Sequence, residues 1–314
     1  MTEPWLLPLD FQAYLEAKLD VDSASLNPAL FDRFRSSLEA ISSPRVLDLG
    51  TGTGAMLRRL LGFTLCGRAE LYGLDSDGYS LELAYRKTAS LLEERGWQVH
   101  REGGVGEEQA LWAQWAGRQL SVRLLFGDLL GPGLLEQLRG GRFHAVAAHA
   151  VMDMLPLDRG LEVIRRLLTE GGLFYATINY DGLTVLLPPY AFEGFEDALL
   201  RAYNQSMEER RVEGLPTGGA WTGRRLHAAL QRAGFQVLGA GSSDWNVFPW
   251  EGGYAGLQSL FLRSLLAMIA REGLSRAEID PAELRRWYLR RLEEVEAGRL
   301  GLVTHQLDLL AVRS

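Results

Sequence analysis

The segment Asp48-Leu49-Gly50-Thr51-Gly52-Thr53-Gly54 sets a carboxylate two residues ahead of alternating glycines, directly after the apolar run Val46, Leu47 and Leu49. Glycines at 50, 52 and 54 allow a tight turn and let the backbone approach a ligand with no Cβ in the way. The next stretch, Met56 to Leu61, has helical character. Strand, glycine turn and helix make the usual nucleotide cradle at the carboxyl edge of a parallel sheet. Read as Gly50-x-Gly52-x-x-Ala55, with Asp75 closing a second apolar run, the stretch formally satisfies the dinucleotide fingerprint. Asp48 argues for another ligand. A carboxylate there repels a pyrophosphate in a partly desolvated site and attracts an ammonium or a sulfonium.

S-adenosylmethionine carries both cations and no phosphate. Asp48 to Gly54 resembles the first motif of the class I S-adenosylmethionine-dependent methyltransferases, and Phe126-Gly127-Asp128-Leu129 resembles their motif in which a strand-end Asp accepts from the adenine amino group. The run His149-Ala150-Val151-Met152-Asp153-Met154-Leu155-Pro156 is similar to the fourth-strand motif of the small-molecule members. The resemblance covers Arg45 to Ile178. It implies S-adenosylmethionine as cofactor, held by Asp48, Gly50, Thr51, Gly52, Gly54, Asp75, Ser76, Gly127, Asp128, Leu129 and His149. Asp75 suits both ribose hydroxyls, a geometry shared with nicotinamide dinucleotides. Asp128 has a second reading, as the cap of a helix over Leu134 to Leu138. Tyr14, Arg33 and Arg35 in the N-terminal extension are further possible contacts, or else core and solvated residues of two amphipathic helices.

A sulfonium makes its methyl group electrophilic without help, so the protein's main task is in-line placement of the acceptor. No catalytic residue is obligatory. His149 is the candidate base or positioning group, since an imidazole titrates near neutrality; the alternative is a ring that packs on the cofactor. Asp153, Asn179, Tyr180, Tyr203, Trp245 and Tyr254 are the substrate-binding candidates. The function implied is O- or N-methylation of a small organic acceptor. Two other functions stay open at this point: an NAD(P)-dependent oxidoreductase, and a non-catalytic methyltransferase-like binding module.

Strand and helix patterns alternate up to residue 182, which predicts an α/β fold: a doubly wound, Rossmann-like, seven-stranded and mostly parallel sheet with an antiparallel last strand. Residues 1–43 read as a helical extension, 44–182 as the Rossmann-like core, and 183–314 as the remaining strands with a helical substrate lid at about 183–220 and 245–300. Leu111 to Trp115 and Leu120 to Leu124 read as a hairpin whose second arm is the third strand. Asp77 is expected to cap a helix over Gly78 to Arg95, and Thr222 one over Thr222 to Ala233. Leu157 to Thr169 reads as a helix, followed by a Gly171-Gly172 turn into the fifth strand.

The 314 residues carry a net charge of -7, with Lys18 and Lys87 the only lysines, and have no basic tract of the kind that grips nucleic acid. Cys66 is the single cysteine, expected as a buried thiol, and the five histidines show no zinc spacing. No apolar run is long enough to span a bilayer or to form a signal-peptide core. The expectations are a soluble cytoplasmic protein with a small-molecule methyl acceptor and no metal, nucleic-acid or membrane partner. Oligomeric state cannot be read from the sequence.

Overall fold

A computed structural model describes residues 3–63, 67–103, 109–138, 141–251 and 253–314; Cys66 lies outside them. The N-terminal extension folds as α1 (Phe11–Ser25) and α2 (Pro28–Glu39). Asp10 and Asn27 start them by accepting from the amides of Ala13 and Leu30, and Pro28 sits in the first turn of α2. The alternating core follows as β1 (Arg45–Leu49), α3 (Ala55–Leu60), β2 (Arg68–Asp75), α4 (Gly78–Glu94), β3 (Gln98–Glu102), β4 (Gln109–Trp115), β5 (Arg118–Phe126), α5 (Leu134–Gln137), β6 (Phe143–His149), α6 (Leu157–Leu167) and β7 (Leu168–Leu187). The rest comprises α7 (Phe195–Glu209), the short hairpin β8 (Arg211–Val212) and β9 (Leu215–Pro216), α8 (Thr222–Arg232), β10 (Phe235–Ser242), β11 (Trp245–Val247), α9 (Gln258–Leu274), α10 (Pro281–Glu296) and β12 (Gly301–Arg313).

The main sheet runs β10-β12-β7-β6-β1-β2-β5-β4-β3, with β11 added alongside β12. Its seven-strand centre, β10-β12-β7-β6-β1-β2-β5, is the expected doubly wound arrangement: β12 is antiparallel to both neighbours, and β7, β6, β1, β2 and β5 pair in parallel. The sheet is larger than expected, ten strands instead of seven. The hairpin read from 111–115 and 120–124 is present as β4 and β5, joined through Ala116 and Gly117, both left-handed. The edge strand β3 was not expected and extends this hairpin.

Helix ends differ locally. Asp77 caps α4 through the Tyr79 amide as expected. α6 stops at Leu167, and β7 begins before Gly171-Gly172. Thr222 is the first residue of α8 instead of its cap, its hydroxyl donating to the Gly219 carbonyl. Gly133 precedes α5 in the cap position, so Asp128 does not cap it.

Three apolar clusters hold these layers together. One packs α2, α3 and α4 on one face of the sheet, around Phe34, Leu57 and Ala84. A second packs α5, α6 and α8 on the other face, around Leu161, Leu226 and Phe174. The third lies past the carboxyl edge. β7 pairs with the end of β6 at Thr177 but continues for ten residues to Leu187, and β12 follows it from Gly301. This projecting ladder, with β11 at its side, forms a wall on which α1, α7, α9 and α10 pack around Tyr14, Trp245, Phe261 and Trp287. Trp287 is fully buried and donates to Glu196, so it belongs to the helical core. Phe261 joins the parts, stacking on Tyr14 of α1 at 5.9 Å and meeting Trp245 edge-on at 5.0 Å. Phe261→Ala is expected to destabilise the fold by about 3–5 kcal/mol, the usual cost of deleting a buried phenyl ring, read as a lower urea midpoint with unchanged slope.

Candidate functional site

The glycine turn lies where the chain reverses between β1 and α3, beside β2 and β6. Gly50, Gly52 and Gly54 all have positive φ (60°, 52° and 87°), which is why glycine is required at these positions. The turn is tied down from within: the Thr51 hydroxyl donates to Asp48 Oδ2 at 2.6 Å, and the Thr51 amide to the Leu74 carbonyl at 3.1 Å. Asp75, at the end of β2, accepts from the amides of Gly52 at 2.7 Å and Asp77 at 2.9 Å. Burial pushes its carboxyl above the usual range. Asp48 is 1% exposed, and its Oδ1 has no hydrogen-bond partner among the described residues. Burial raises the Asp48 carboxyl to about 7 against the pull of the Thr51 hydrogen bond.

The nucleoside candidates gather at adjoining strand ends. The Gly127 amide donates to the Asp75 carbonyl at 2.9 Å, which brings the end of β5 beside that of β2. Ser76 and Asp128 are exposed, Asp128 accepting from the Leu130 amide at 2.9 Å, and Leu129 is buried beneath them.

α1 covers the turn. A Cβ on Gly52 would lie 3.3 Å from Leu15 Cδ1, and Glu16 pairs with both Arg58 of α3 and Lys87 of α4. Gln12 donates to Asp77, and Arg59 to the Leu19 carbonyl and the Ser23 hydroxyl. Near its end, α1 inserts Asp22 into the interior. Asp22 Oδ2 meets Lys18 Nζ at 2.5 Å and His149 Nε2 at 2.8 Å, while Oδ1 accepts from the Trp245 indole at 2.8 Å. Burial alone would raise this carboxyl, but the charge of Lys18 and the hydrogen bonds from Lys18 and His149 hold it well below the usual range.

That arrangement redefines His149. Burial lowers its pKa to about 4 against the opposing effect of Asp22, so the ring is neutral near pH 7. Nε2–H then donates to the ionised Asp22, and Nδ1 accepts from the Thr177 hydroxyl at 2.7 Å. Both nitrogens are committed, which leaves no lone pair for a substrate proton. In this geometry the ring ties α1 to β6 and β7 and has no free nitrogen for the base role considered from sequence.

The substrate candidates divide. Tyr180 lies on the face of β7 toward α7, its hydroxyl bonded to Asn204 at 2.9 Å and Thr184 at 3.1 Å. Tyr203 packs against the same helical core, where burial pushes its hydroxyl up to about 12. Trp245 is buried beside Asp22. Asp153, in a turn of 3-10 helix after β6, is paired with Arg210 at 3.3 Å, and burial raises its carboxyl. Asn179 is on the opposite face from Tyr180 and is tied to the Leu307 carbonyl, and the Tyr254 hydroxyl is spent on the Leu300 carbonyl. Of the N-terminal candidates, Tyr14 is buried against Phe261, whereas Arg33 donates to the Leu238 carbonyl and Arg35 forms a surface pair with Asp32.

Sequence reading missed Lys18, Asp22 and Thr177. A signal was present for two of them: Tyr14, Lys18 and Asp22 recur at helical spacing, so two charges stand in the inward stripe of α1. Among the described residues no cluster of His, Cys, Asp and Glu is placed to hold a metal, and no helix is long and apolar enough to cross a membrane.

A doubly wound sheet with a glycine turn, a strand-end Asp and an antiparallel last strand defines the class as Rossmann-like in fold. No family model matches the sequence, and no curated protein does. Among solved structures, the chain is similar to a SAM-dependent methyltransferase from Thiobacillus denitrificans in complex with S-adenosyl-L-homocysteine (14% identity, 95% of this chain and 97% of that one, TM-score 0.43). It is also similar to one from Geobacter sulfurreducens with the same ligand (14%, 95% and 98%, 0.43). A third is geranyl diphosphate C-methyltransferase from Streptomyces coelicolor A3(2) (12%, 98% and 90%, 0.44). Likeness at this level concerns the fold and carries nothing about chemistry.

Asp22→Ala is expected to cost about 3–5 kcal/mol by leaving Lys18 buried and unpaired, and the double change Asp22→Leu with Lys18→Met to recover most of that loss; urea unfolding of the three proteins measures both effects.

Proposed function

We propose that this protein is an S-adenosylmethionine-dependent methyltransferase acting on a small organic acceptor by O- or N-methylation. The observation that carries the reading is Asp48, a buried carboxylate beside a left-handed glycine turn, one of whose oxygens has no partner among the described residues. Such an oxygen fits the ammonium of the cofactor and opposes a pyrophosphate. Asp75 and Ser76 would hold the ribose, and Gly127, Asp128 and Leu129 the adenine, from two neighbouring strand ends. When bound, S-adenosylmethionine supplies an electrophilic methyl group on sulfur.

The chain's own residues then position and exclude. The Asp22–His149 contact keeps α1 over the carboxyl edge, and the wall built by β7 and β12 carries Tyr180 and, through β11, Trp245 toward the acceptor. Roofing by α1, α7 and α9 excludes water and leaves little room for a polymer, which favours a small acceptor. With both nitrogens of His149 engaged, the reading assigns no general base.

Calorimetric titration with S-adenosylhomocysteine, run beside NADH, tests the cofactor. Micromolar binding of the first alone is expected; binding of NADH alone would overturn the reading in favour of a dinucleotide enzyme, and binding of neither would favour a non-catalytic module. Asp48→Asn should weaken S-adenosylhomocysteine binding by about 1.5–3 kcal/mol. The pH dependence has a definite sign. Asp48 must be ionised to hold the ammonium, and its carboxyl titrates at about 7 in the free protein. Wild-type affinity should therefore rise between about pH 6 and about pH 8, approaching about tenfold per unit on the acid side, while the Asn variant stays flat.

A further inference from the structure

Two buried polar side chains on the last strand each carry an oxygen with no partner among the described residues. Gln306 is 1% exposed and Thr304 3% exposed, and neither Gln306 Oε1 nor Thr304 Oγ1 has a hydrogen-bond partner among the described residues. Backbone pairing does not need these side chains. An unpaired buried polar atom carries its full desolvation cost unless a ligand or water meets it.

Their positions follow from strand register. Gln306 pairs with Tyr180 of β7, and Thr304 pairs with Thr184 of β7 on one side and Trp245 of β11 on the other. Paired residues share a face, so all five stand on one side of the wall. His305 between them turns the other way, toward Asp244 at 2.8 Å. The Tyr180 hydroxyl bonds to Thr184 on this face, and Trp245 leads from Thr304 to Asp22 and on to His149 at the carboxyl end of β6, next to β1 and Asp48. The two unspent groups thus stand one buried carboxylate away from the end of the strand that neighbours the glycine turn.

The charged groups around this face already have hydrogen-bond partners. Lys18 and Asp22 neutralise each other, and Asp308, next on the same side of β12, accepts from the amides of Asn27 and Ile178. A primary amide and a hydroxyl each donate and accept, and the nearby buried side chains are aromatic: Trp245, Phe261 and Tyr14.

We propose that Gln306 and Thr304 recognise the methyl acceptor, and that the acceptor is a neutral aromatic molecule bearing a hydroxyl or an amide, not a carboxylate or an ammonium. This rests on the methyltransferase reading for the word acceptor; the binding site itself does not.

The probes are catechol, benzamide, benzoate and benzylamine, followed by ligand-observed NMR with and without saturating S-adenosylhomocysteine. Wild type should bind catechol and benzamide at least about tenfold more tightly than the two ions, and Gln306→Leu with Thr304→Val should lose at least about tenfold of that affinity while S-adenosylhomocysteine binding stays within about twofold. In urea the same double variant should be as stable as wild type or more so, because two unpaired polar groups are replaced by apolar ones of similar volume. A marked loss of stability would show that the groups are structural and would overturn the site. So would equal or tighter binding of benzoate or benzylamine, neutral probes that ignore the substitutions, or no probe binding at all. Failure of S-adenosylhomocysteine to bind wild type would sink the cofactor reading alone, since the probe comparison without it still decides the site.

Discussion

The carboxylate of Asp22 is the point at which the three parts of this molecule meet. It belongs to α1, and it binds a lysine of its own helix, a histidine from the central sheet and an indole from the strand beside the projecting wall. Removing an ion from water is costly, and the cost is offset only when each lone pair finds a donor. Here both oxygens do. The consequence is geometric: α1 can lie across the carboxyl edge only when β6, β11 and the helical cluster are all in place, so the cover of the glycine turn is coupled to the assembly of the upper core.

Around this saturated node lie groups that are not saturated. Asp48 Oδ1, Thr304 Oγ1 and Gln306 Oε1 are buried and have no partner among the described residues, in contrast with the full accounting at Asp22 and at Asp75. Burial costs of this kind reduce stability unless a ligand offsets them, and binding or catalytic sites are where folds tolerate them. The pH response reflects the same contrast. Burial lowers His149 to about 4, below its ordinary 6.5, so the stability tied to its neutral form is fully present above about pH 6.5 and is lost as pH falls toward 4. Asp48 has the opposite sign: with its carboxyl raised from 3.8 to about 7, its contribution is greatest in acid and is lost as pH rises through that interval.

One sheet edge here carries two kinds of construction. The nucleoside candidates sit on the ends of β1, β2 and β5, where loops are short and fixed by backbone hydrogen bonds. The far end of β7 and β12 is built on a different principle, a strand pair extended past the sheet until it becomes a wall for α1, α7, α9 and α10. Ile178, with a positive φ of 56°, marks the point where β7 leaves the sheet proper, and its amide is held there by Asp308 at 2.8 Å.

By itself the sequence determined what depends on neighbours within a few residues. The glycine turn behind Asp48, Asp75 at the close of an apolar run, Asp77 ahead of its helix, the hairpin through Ala116-Gly117 and the alternation that specifies a doubly wound sheet are all local patterns of side-chain size, charge and period. Only the tertiary structure decided which distant groups share a buried space. Asp22 meets His149 across 127 residues and Trp245 across 223, and it was packing of α1 against the wall that chose those partners for its charge. The register of β7 on β12, likewise set over more than a hundred residues, placed Thr304 and Gln306 on the face of Tyr180 and turned Asn179 away from it. A side-chain period of two says that a strand has two faces; what each face meets depends on what the rest of the chain folds against it.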